Sequence, residues 1–465
     1  MKKLQFWMLF AILFSNLAVT SCNDSDDDSP AIPKHEYPFF TNDINALIDA
    51  NYEELKTKSY AELVIPATLY DKSKFSLNSI STNAKADMER LLAAGYRAYI
   101  NGGSVRDAIM GVPSHDIDFS TDATADQIMV VFPEGIKLHA FGNYYVVKVP
   151  HEGEEPTDMG PMMSIWGYDK SLQGKGGIPM SQFQGETYCN DLMEDSYTRD
   201  FTMNCLYYDC KTGDIIDYHG GLHDIREGII NTIFDSELKL STDPRAILRA
   251  LRFKAKYEFT FADRMEKAMR NSQLTNWLAT LNNYNVIYNM QSGFEGGFSK
   301  RFFQELQDYK VTDAFLKSMS ARLHTEAYSN EVETILGFLD EKGKADMAVA
   351  WAAIFWPQAA EELKGKASPT IDDVAAVWRK IDSANSANFK FDVKDSTFDD
   401  TYVPEFIQAL WYLQYQLGNA SNQTAEKTAE LKKAAHIKDA LLLFQARASY
   451  DSSLKSAAGY WLNQL

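Results

Sequence analysis

The stretch from residue 99 to 124 constrains the chain more than any other, and it reads Y-I-N-G-G-S-V-R-D-A-I-M-G-V-P-S-H-D-I-D-F-S-T-D-A-T. An apolar run ends at the glycine pair Gly102 and Gly103, and Ser104 can cap a short helix that runs through Ile109. A second strand follows this helix. The pattern therefore predicts a strand, a glycine turn, a helix and a strand in that order.

The second strand carries two carboxylates, Asp116 and Asp118, two positions apart. Side chains so spaced on a strand project from the same face. Paired carboxylates can hold hard divalent cations, and a helix N-terminus behind two glycines is a natural seat for phosphate. Either feature alone is common, but together in one short stretch they predict phosphoryl or nucleotidyl transfer.

The N-terminus has the pattern of a secretory signal over residues 1–22, with Lys2, Lys3 and an apolar run from Phe6 to Phe14. That run is shorter than the ~20 residues that span a bilayer. Its end resembles a bacterial lipoprotein cleavage box, which implies lipidation of Cys22 and an exported lipoprotein at the outer membrane or cell surface of a Gram-negative bacterium. An ordinary signal peptide with an incidental cysteine is the alternative.

Composition limits the classes of protein to which the chain can belong. Its 465 residues, 45% of them apolar, are enough for two or more domains with real cores. The formal net charge of −18 weighs against strong generic affinity for nucleic acid. Cys189, Cys205 and Cys210 match no zinc spacing and are interpreted as packing residues without a disulfide framework.

Other segments give a coarse secondary structure. Helices are predicted over residues 84–94 and 125–132, and two short strands over residues 137–149. The Gly/Pro/Met-rich segment 151–185 is interpreted as a mobile active-site loop or a family-specific insertion. Beyond residue 261 the pattern predicts helices to the end, with 347–355 and 406–417 buried.

A strong helix is predicted to begin at Asp243 and Pro244, a good N-cap and first-turn pair. Its apolar stripe consists of Ile247, Leu248, Leu251 and Ala255. Its other face carries Arg245, Arg249 and Arg252, and the ordinary interpretation of such a face is contact with solvent.

Five motifs, in order and spacing, resemble those of the class II CCA-adding enzymes and bacterial poly(A) polymerases. They are Gly102–Asp107 for G-G-x-V-R-D, Asp116–Asp118 for D-x-D, Arg199–Asn204 for R-D-F-T-x-N, Asp217–Leu222 for D-x-x-G-G-x, and Asp243–Phe253 for D-P-x-R-x-L-R-A-x-R-F. The likeness covers residues 80 to 320, and the remainder matches only by being helical.

The resemblance implies an α+β head with the nucleotidyltransferase fold, a small mixed sheet with flanking helices, followed by an all-α neck, body and tail. The expected divisions are a lipoprotein signal peptide at 1–22, an acidic tether and extension at 23–79, the head at 80–235, the neck at 236–320, and the body and tail at 321–465.

The resemblance also implies a reaction in which an acceptor 3′ hydroxyl attacks the α-phosphorus of a nucleoside triphosphate. Asp116 and Asp118 would be the catalytic residues and would coordinate two Mg²⁺ ions. The nucleotide would be bound by Gly102, Gly103, Ser104, Arg106, Asp107, Arg199, Asp200, Asn204, Asp243, Arg249 and Arg252.

Three departures from the family pattern affect specificity. The helix has Ala246 where the family places its base-reading Arg, and Thr198 stands where the family has an Arg before R-D-F-T. The family strand E-V-x-T-F-R aligns best with residues 162–167, which loses both an acid and a base.

The sequence does not indicate the oligomeric state. Two hypotheses about function follow from it. The first, which is favoured, is a Mg²⁺-dependent nucleotidyltransferase of the CCA-adding or poly(A) polymerase type, whose acceptor is RNA although the acidic surface and the export signal disfavour it. The second is a lipid-anchored nucleotide- or protein-binding pseudoenzyme that retains the fold.

Overall fold

The computed structural model describes residues 37–58, 60–75, 82–112, 117–141, 144–165, 186–343, 346–366, 368–391 and 402–464. The chain forms two compact units. The head unit comprises residues up to Asp243 together with Tyr257–Met269, and the helical unit comprises Pro244–Lys256 and the chain from Arg270 onward. Cys22 and Asp116 lie outside the described residues.

Twelve strands are described, and all belong to the head unit. They are β1 Leu63–Ile65, β2 Ala98–Asn101, β3 Asp118–Thr121, β4 Ile136–Phe141, β5 Tyr144–His151, β6 Glu154–Pro161, β7 Met163–Ile165, β8 Glu186–Tyr188, β9 Leu206–Asp209, β10 Ile215–Asp217, β11 Ile229–Ile230 and β12 Thr260–Phe261. Eight of them form one mixed sheet in the order β1-β10-β9-β2-β3-β6-β5-β4. In this sheet β3 and β6 are parallel neighbours and the other neighbouring pairs are antiparallel. The expected head with a mixed sheet is confirmed.

The helices of the head unit lie between these strands in the chain and after them. They are α1 Asn42–Leu55, α2 Thr82–Ala93, α3 Gly103–Met110, α4 Ala125–Val131, α5 Leu192–Ser196, α6 Gly221–Glu227 and α7 Ser236–Thr242; α8 Arg245–Tyr257 begins in the helical unit and ends in the head unit, and α9 Asp263–Met269 returns to the head unit. A 3₁₀ turn spans Thr202–Asn204. The predicted helices at 84–94 and 125–132 are confirmed as α2 and α4, and Thr124 and Gln127 form a capping box at the start of α4.

The interpretation of residues 151–185 as a loop or insertion is wrong for its first part. Residues 154–161 form β6, which pairs with β3 on one side and β5 on the other. Pro156 and Gly160 disfavour a strand locally. Hydrogen bonding to a strand on each side outweighs that preference. Residues 166–185 lie outside the described residues.

The described part of the N-terminal extension is integral to the head unit. Strand β1 pairs antiparallel with β10 and forms one edge of the sheet. The Asn51 side-chain amide donates a buried 2.9 Å hydrogen bond to the Ala61 carbonyl, which ties α1 to the chain just before β1. The Tyr70 hydroxyl donates to the Gly213 carbonyl, and its ring packs against those of Phe39 and Phe75.

Beyond residue 261 the described chain contains helices and no strand, as the sequence predicted. After α8 and α9, its helices are α10 Leu274–Leu278, α11 Asn283–Phe294, α12 Ser299–Asp308, α13 Val311–Phe315, α14 Ser320–Leu323, α15 Glu326–Glu341, α16 Met347–Glu362, α17 Ile371–Ala384, α18 Tyr402–Gly418, α19 Ala425–Leu431, α20 Ile437–Tyr450 and α21 Lys455–Gln464. Helix α16 is buried along nearly its whole length, as its Ala- and Trp-rich sequence predicts. Within the described part of the chain, no helix combines the length and the apolar character that crossing a membrane requires.

The substitution Asn51→Ala should lower the free energy of unfolding by about 1–3 kcal/mol, because it leaves the buried Ala61 carbonyl without its hydrogen-bond donor. Urea denaturation followed by circular dichroism measures the change. Glu53→Ala is the matched control on the same helix, since Glu53 pairs with Lys56 on the surface and should change stability by less than about 0.5 kcal/mol. Equal effects of the two substitutions would contradict the assignment of the extension to the head core.

Candidate active site

A row of polar side chains crosses five neighbouring strands of the head sheet. The register pairs Tyr207 with Asn101, Asn101 with Asp118, Asp118 with Asp158, and Asp158 with Lys148. Paired residues of neighbouring strands project to the same face of a sheet. The strand that leads into the glycine turn and the strand that begins with Asp118 therefore present their polar groups side by side.

The glycine turn joins the end of β2 to the start of α3. Gly102 has φ 69° and ψ −135°, a backbone conformation that glycine adopts without the steric cost of a Cβ. Its N–H donates to the Leu206 carbonyl at 3.2 Å, and its carbonyl accepts the Arg106 N–H at 3.2 Å. The N-cap of α3 is Gly102, so the predicted cap at Ser104 is wrong: Ser104 lies in the first turn, and its Oγ donates to the Asn101 carbonyl at 3.5 Å. The N-terminus of α3 can attract an anion, and phosphate binding there stays a prediction.

The Arg106 guanidinium lies beneath this turn and is 1% exposed. Its Nε and Nη2 contact Asp107 Oδ1 at 2.8 and 2.7 Å, and its Nη1 donates to Asn204 Oδ1 at 2.6 Å. The Tyr257 hydroxyl donates to the same Asp107 oxygen at 3.0 Å. Arg106 therefore links the glycine-turn helix to the 3₁₀ turn, and the prediction that it holds the triphosphate stays a prediction.

Asp200 and Asn204 shape the 3₁₀ turn itself. Asp200 Oδ1 accepts the Phe201 backbone N–H at 2.7 Å and the Asn204 side-chain amide at 3.1 Å. Both residues are buried. The structure thus joins Arg106, Asp107, Asp200 and Asn204 in one hydrogen-bonded network.

Residues 217–222, which form the D-x-x-G-G-x motif, pack against the other side of this 3₁₀ turn. Asp217 Oδ1 accepts the His219 and Gly220 N–H groups, each at 2.9 Å, and Oδ2 accepts the Leu222 N–H at 2.8 Å. Burial raises the pKa of the Asp217 carboxyl above its usual value, against the effect of these backbone donors. A Cβ at Gly221 would lie 2.2 Å from the Thr202 carbonyl oxygen, so only glycine permits this approach.

Arg199 lies on the same face of the sheet as Asp118. Its Nη1 donates to Asn101 Oδ1 at 2.9 Å, and its Nη2 donates to Ser120 Oγ at 3.1 Å and to Asp195 Oδ2 at 2.9 Å. Ser120 follows Asp118 by two residues on β3, so both side chains face the same way. The structure thus brings Arg199 to the strands that bear the glycine turn and the carboxylate.

Asp118 and Asp158 are the described groups that suit a metal ion. They stand opposite each other on parallel neighbouring strands, which lie about 4.8 Å apart. Carboxylate oxygens are the donors that Mg²⁺ prefers. Among the described residues, which omit Asp116, no group of three or more His, Cys, Asp or Glu is placed to hold a metal. Two carboxylates side by side fit a divalent cation, and Lys148 Nζ, 2.7 Å from Asp158 Oδ2, balances part of their charge.

Asp158 is the site residue that sequence reasoning missed. The alignment of residues 162–167 with the family strand suggested that the acid of that strand is lost. The structure instead places an acid four residues earlier, opposite Asp118. Alternation of inward and outward residues along β6 was the sequence signal that could have revealed this strand. Pro156 and Gly160 interrupt that pattern.

The remaining predicted nucleotide-binding residues lie near α8. Asp243 belongs to the head unit, where it ends α7 and lies 3.3 Å from Lys239 Nζ. Arg249 and Arg252 belong to the helical unit. Arg252 is buried and Arg249 is half-buried, so the basic face of α8 is not a simple solvent-facing surface. Ala246, in the position of the base-reading Arg, is fully buried, as is the predicted apolar stripe of α8.

Comparison with known proteins gives concordant matches. Residues 98–231 match the family model of the Poly A polymerase head domain. The chain is 26% identical over 424 residues to poly(A) polymerase I of Salmonella typhimurium, covering 84% of each chain. These sequence matches support the resemblance that the motifs indicated.

Solved structures show the same fold at lower sequence identity. The Bacillus stearothermophilus CCA-adding enzyme in complex with CTP matches with a TM-score of 0.57 and 21% identity over 82% of each chain. The Thermotoga maritima CCA-adding enzyme complexed with tRNA matches with a TM-score of 0.53 and 15% identity, over 84% of this chain and 86% of that one. The chain thus has the fold of the CCA-adding enzymes, with a nucleotidyltransferase-type head and a mostly helical body.

Gly221→Ala should destabilise the head by about 1–3 kcal/mol, because the new methyl group collides with the Thr202 carbonyl and displaces the 3₁₀ turn. Thermal unfolding followed by circular dichroism measures the loss. Gly459→Ala is the control with the opposite expected sign, since this helical glycine has open space around its Cα and alanine is the better helix former. A neutral Gly221→Ala would contradict the close approach.

Proposed function

We propose that this chain, which carries a nucleotidyltransferase-type head matching that of the poly(A) polymerases, transfers a nucleoside monophosphate from a nucleoside triphosphate to the 3′ hydroxyl of an RNA. The observation that carries the proposal is the position of the Gly102 turn beside Asp118 and Asp158, in the fold of the CCA-adding enzymes. Nucleotidyl transfer requires a site for phosphate and a site for divalent cations. Here the residues proposed for the two sites lie at the ends of adjacent strands.

The proposed triphosphate site consists of backbone N–H groups. The first turn of α3 directs its N–H groups away from the helix, and the partial positive charge of a helix N-terminus favours phosphate there. Arg106 and Asp107 fix this helix from beneath through buried hydrogen bonds. The turn therefore meets the nucleotide in a preformed shape, which keeps the cost of ordering small.

The proposed metal site consists of Asp118 and Asp158, and Asp116 is the neighbouring carboxylate in the sequence. Mg²⁺ ions held there would neutralise phosphate charge and make the acceptor hydroxyl a better nucleophile. Lys148 pairs with Asp158 and balances part of its charge. These side chains supply hard oxygen donors at the end of the turn where the phosphates would lie.

Two observations support nucleotides and RNA as the partners of this protein. The solved structure of the Bacillus stearothermophilus enzyme holds CTP, and that of the Thermotoga maritima enzyme holds tRNA. The net charge of −18 indicates that RNA affinity here is modest, because generic affinity for RNA depends on cationic groups that neutralise phosphates. Ala246 indicates that the selected base is not read by the family's usual arginine.

Incubation of the purified protein with Mg²⁺, labelled ATP or CTP and an RNA acceptor should give incorporation at the RNA 3′ end. Asp118→Asn and Asp158→Asn should each lower the rate by more than about 100-fold, because each removes a carboxylate that would hold the Mg²⁺ ions that neutralise the phosphate charge. Asp126→Asn is the matched control, since Asp126 is an exposed head carboxylate paired with Lys137 and should leave the rate unchanged.

The outcomes separate the two hypotheses. Incorporation that survives the combined Asp118→Asn and Asp158→Asn substitutions would contradict the proposed site. Wild-type protein that binds ATP but incorporates nothing would favour the nucleotide-binding pseudoenzyme instead.

We further propose that the protein is an exported lipoprotein anchored through Cys22. The wild-type chain should fractionate with membranes and incorporate a labelled fatty acid, whereas Cys22→Ser should incorporate none and lose its membrane association. Cys210→Ser is the matched control, because this cysteine lies within the head fold and is distant in sequence from the signal. Lipid incorporation into Cys22→Ser would contradict the anchor.

A further inference from the structure

We infer that Arg199 and Asp195 are positioning residues, which clamp the phosphate turn to the strand of Asp118. This inference deepens the proposed function, and its kinetic part rests on that function. The clamp itself is a property of the folded head and can be measured without turnover.

The Arg199 guanidinium spans the ends of two strands. One terminal nitrogen donates to Asn101, the last residue of β2 and the one before the glycine turn. The other donates to Ser120, two residues after Asp118 on β3. A displacement of the turn relative to the carboxylate strand must therefore stretch one of these hydrogen bonds.

A third hydrogen bond closes the arrangement. The Asn101 side-chain amide donates to Ser120 Oγ at 2.8 Å, so this oxygen accepts from both Asn101 and Arg199. All three side chains are buried. Buried hydrogen bonds among few partners restrict motion strongly, since no water is at hand to replace a lost donor.

Asp195 holds the guanidinium in place from the other side. Its Oδ2 contacts Arg199 Nη2 at 2.9 Å and accepts the Tyr207 hydroxyl at 2.8 Å, while Oδ1 accepts the Met163 N–H at 2.9 Å. Burial raises the pKa of the Tyr207 hydroxyl well above its ordinary value, so Tyr207 remains a donor. Asp195 therefore both neutralises Arg199 and fixes the plane of its guanidinium.

The contacts of Arg199 give it a positioning role. Both terminal nitrogens donate to protein atoms, and the residue is 5% exposed. These hydrogen bonds hold the guanidinium in one orientation between the two strands. Arg199 thus acts on the nucleotide through the turn and the carboxylate strand.

Hydrogen exchange tests the clamp on the ligand-free protein. Arg199→Lys, which keeps the charge but not the fork, and Ser120→Ala, which removes one oxygen, should each raise deuterium uptake in peptides covering 99–110 and 117–121, with the rest of the head unchanged. Arg97→Lys is the matched control, because Arg97 forms an exposed pair with Asp122 in the same unit. Unchanged uptake in Ser120→Ala would overturn the inference, and if Arg199→Lys loosens the whole head, the Ser120→Ala result decides.

Steady-state kinetics test the consequence for the reaction. Arg199→Lys and Ser120→Ala should each lower kcat by about 10–100-fold with little change in KM for the triphosphate, as loss of a supporting residue does. The double variant should be no worse than the more impaired single variant, because both substitutions break one clamp.

A rise in KM with unchanged kcat in Arg199→Lys alone would show that Arg199 binds the nucleotide without positioning the turn, and would overturn the inference. If the wild-type protein shows no incorporation, the proposed function fails, and hydrogen exchange alone decides whether the clamp exists.

Discussion

A buried guanidinium cannot remain unpaired, and in this head unit that requirement places Arg199 against Asp195. Removing one partner of such a pair costs about 3–5 kcal/mol, because it leaves the other charge buried without compensation. The remaining donors of Arg199 then reach Asn101 and Ser120. The relation between the glycine turn and the carboxylate strand thus depends on how one side chain satisfies its charge and its hydrogen bonds.

A second buried network supports the other side of the turn. Arg106 joins Asp107 and Asn204, Asp200 shapes the 3₁₀ turn, and Gly221 allows α6 to approach that turn closely. Several residues that sequence motifs suggest as nucleotide ligands therefore contact one another. Their spacing in the sequence specifies a rigid backbone seat as much as a set of groups for the substrate.

The N-terminal extension shows how the head has been extended without disturbing this seat. Strand β1 adds to the sheet through β10, and the row of polar groups lies on strands β9, β2, β3, β6 and β5. The added strand therefore pairs outside that row. Strand β1 and the hydrogen bond from Tyr70 to the Gly213 carbonyl attach the extension to the head, and Asn51 fixes α1 within it. The described part of the extension is therefore part of the folded head rather than a loose spacer.

The sequence by itself determined the features that depend on neighbouring residues. Gly102 and Gly103 marked the turn, the helical pattern of residues 125–132 marked α4, and apolar spacing marked the buried stripe of α8 and the helical unit. Local sterics and side-chain periodicity suffice for these features.

The tertiary structure decided everything that depends on strand register. Asp158 reaches Asp118 only because β6 pairs in parallel with β3, and a slip of one residue would turn its carboxylate to the other face. Arg199 reaches Asn101 across 98 residues of sequence, a contact that no local pattern encodes. The sequence therefore indicated which groups could do the chemistry, whereas long-range pairing and the burial of charge decided which of them stand together.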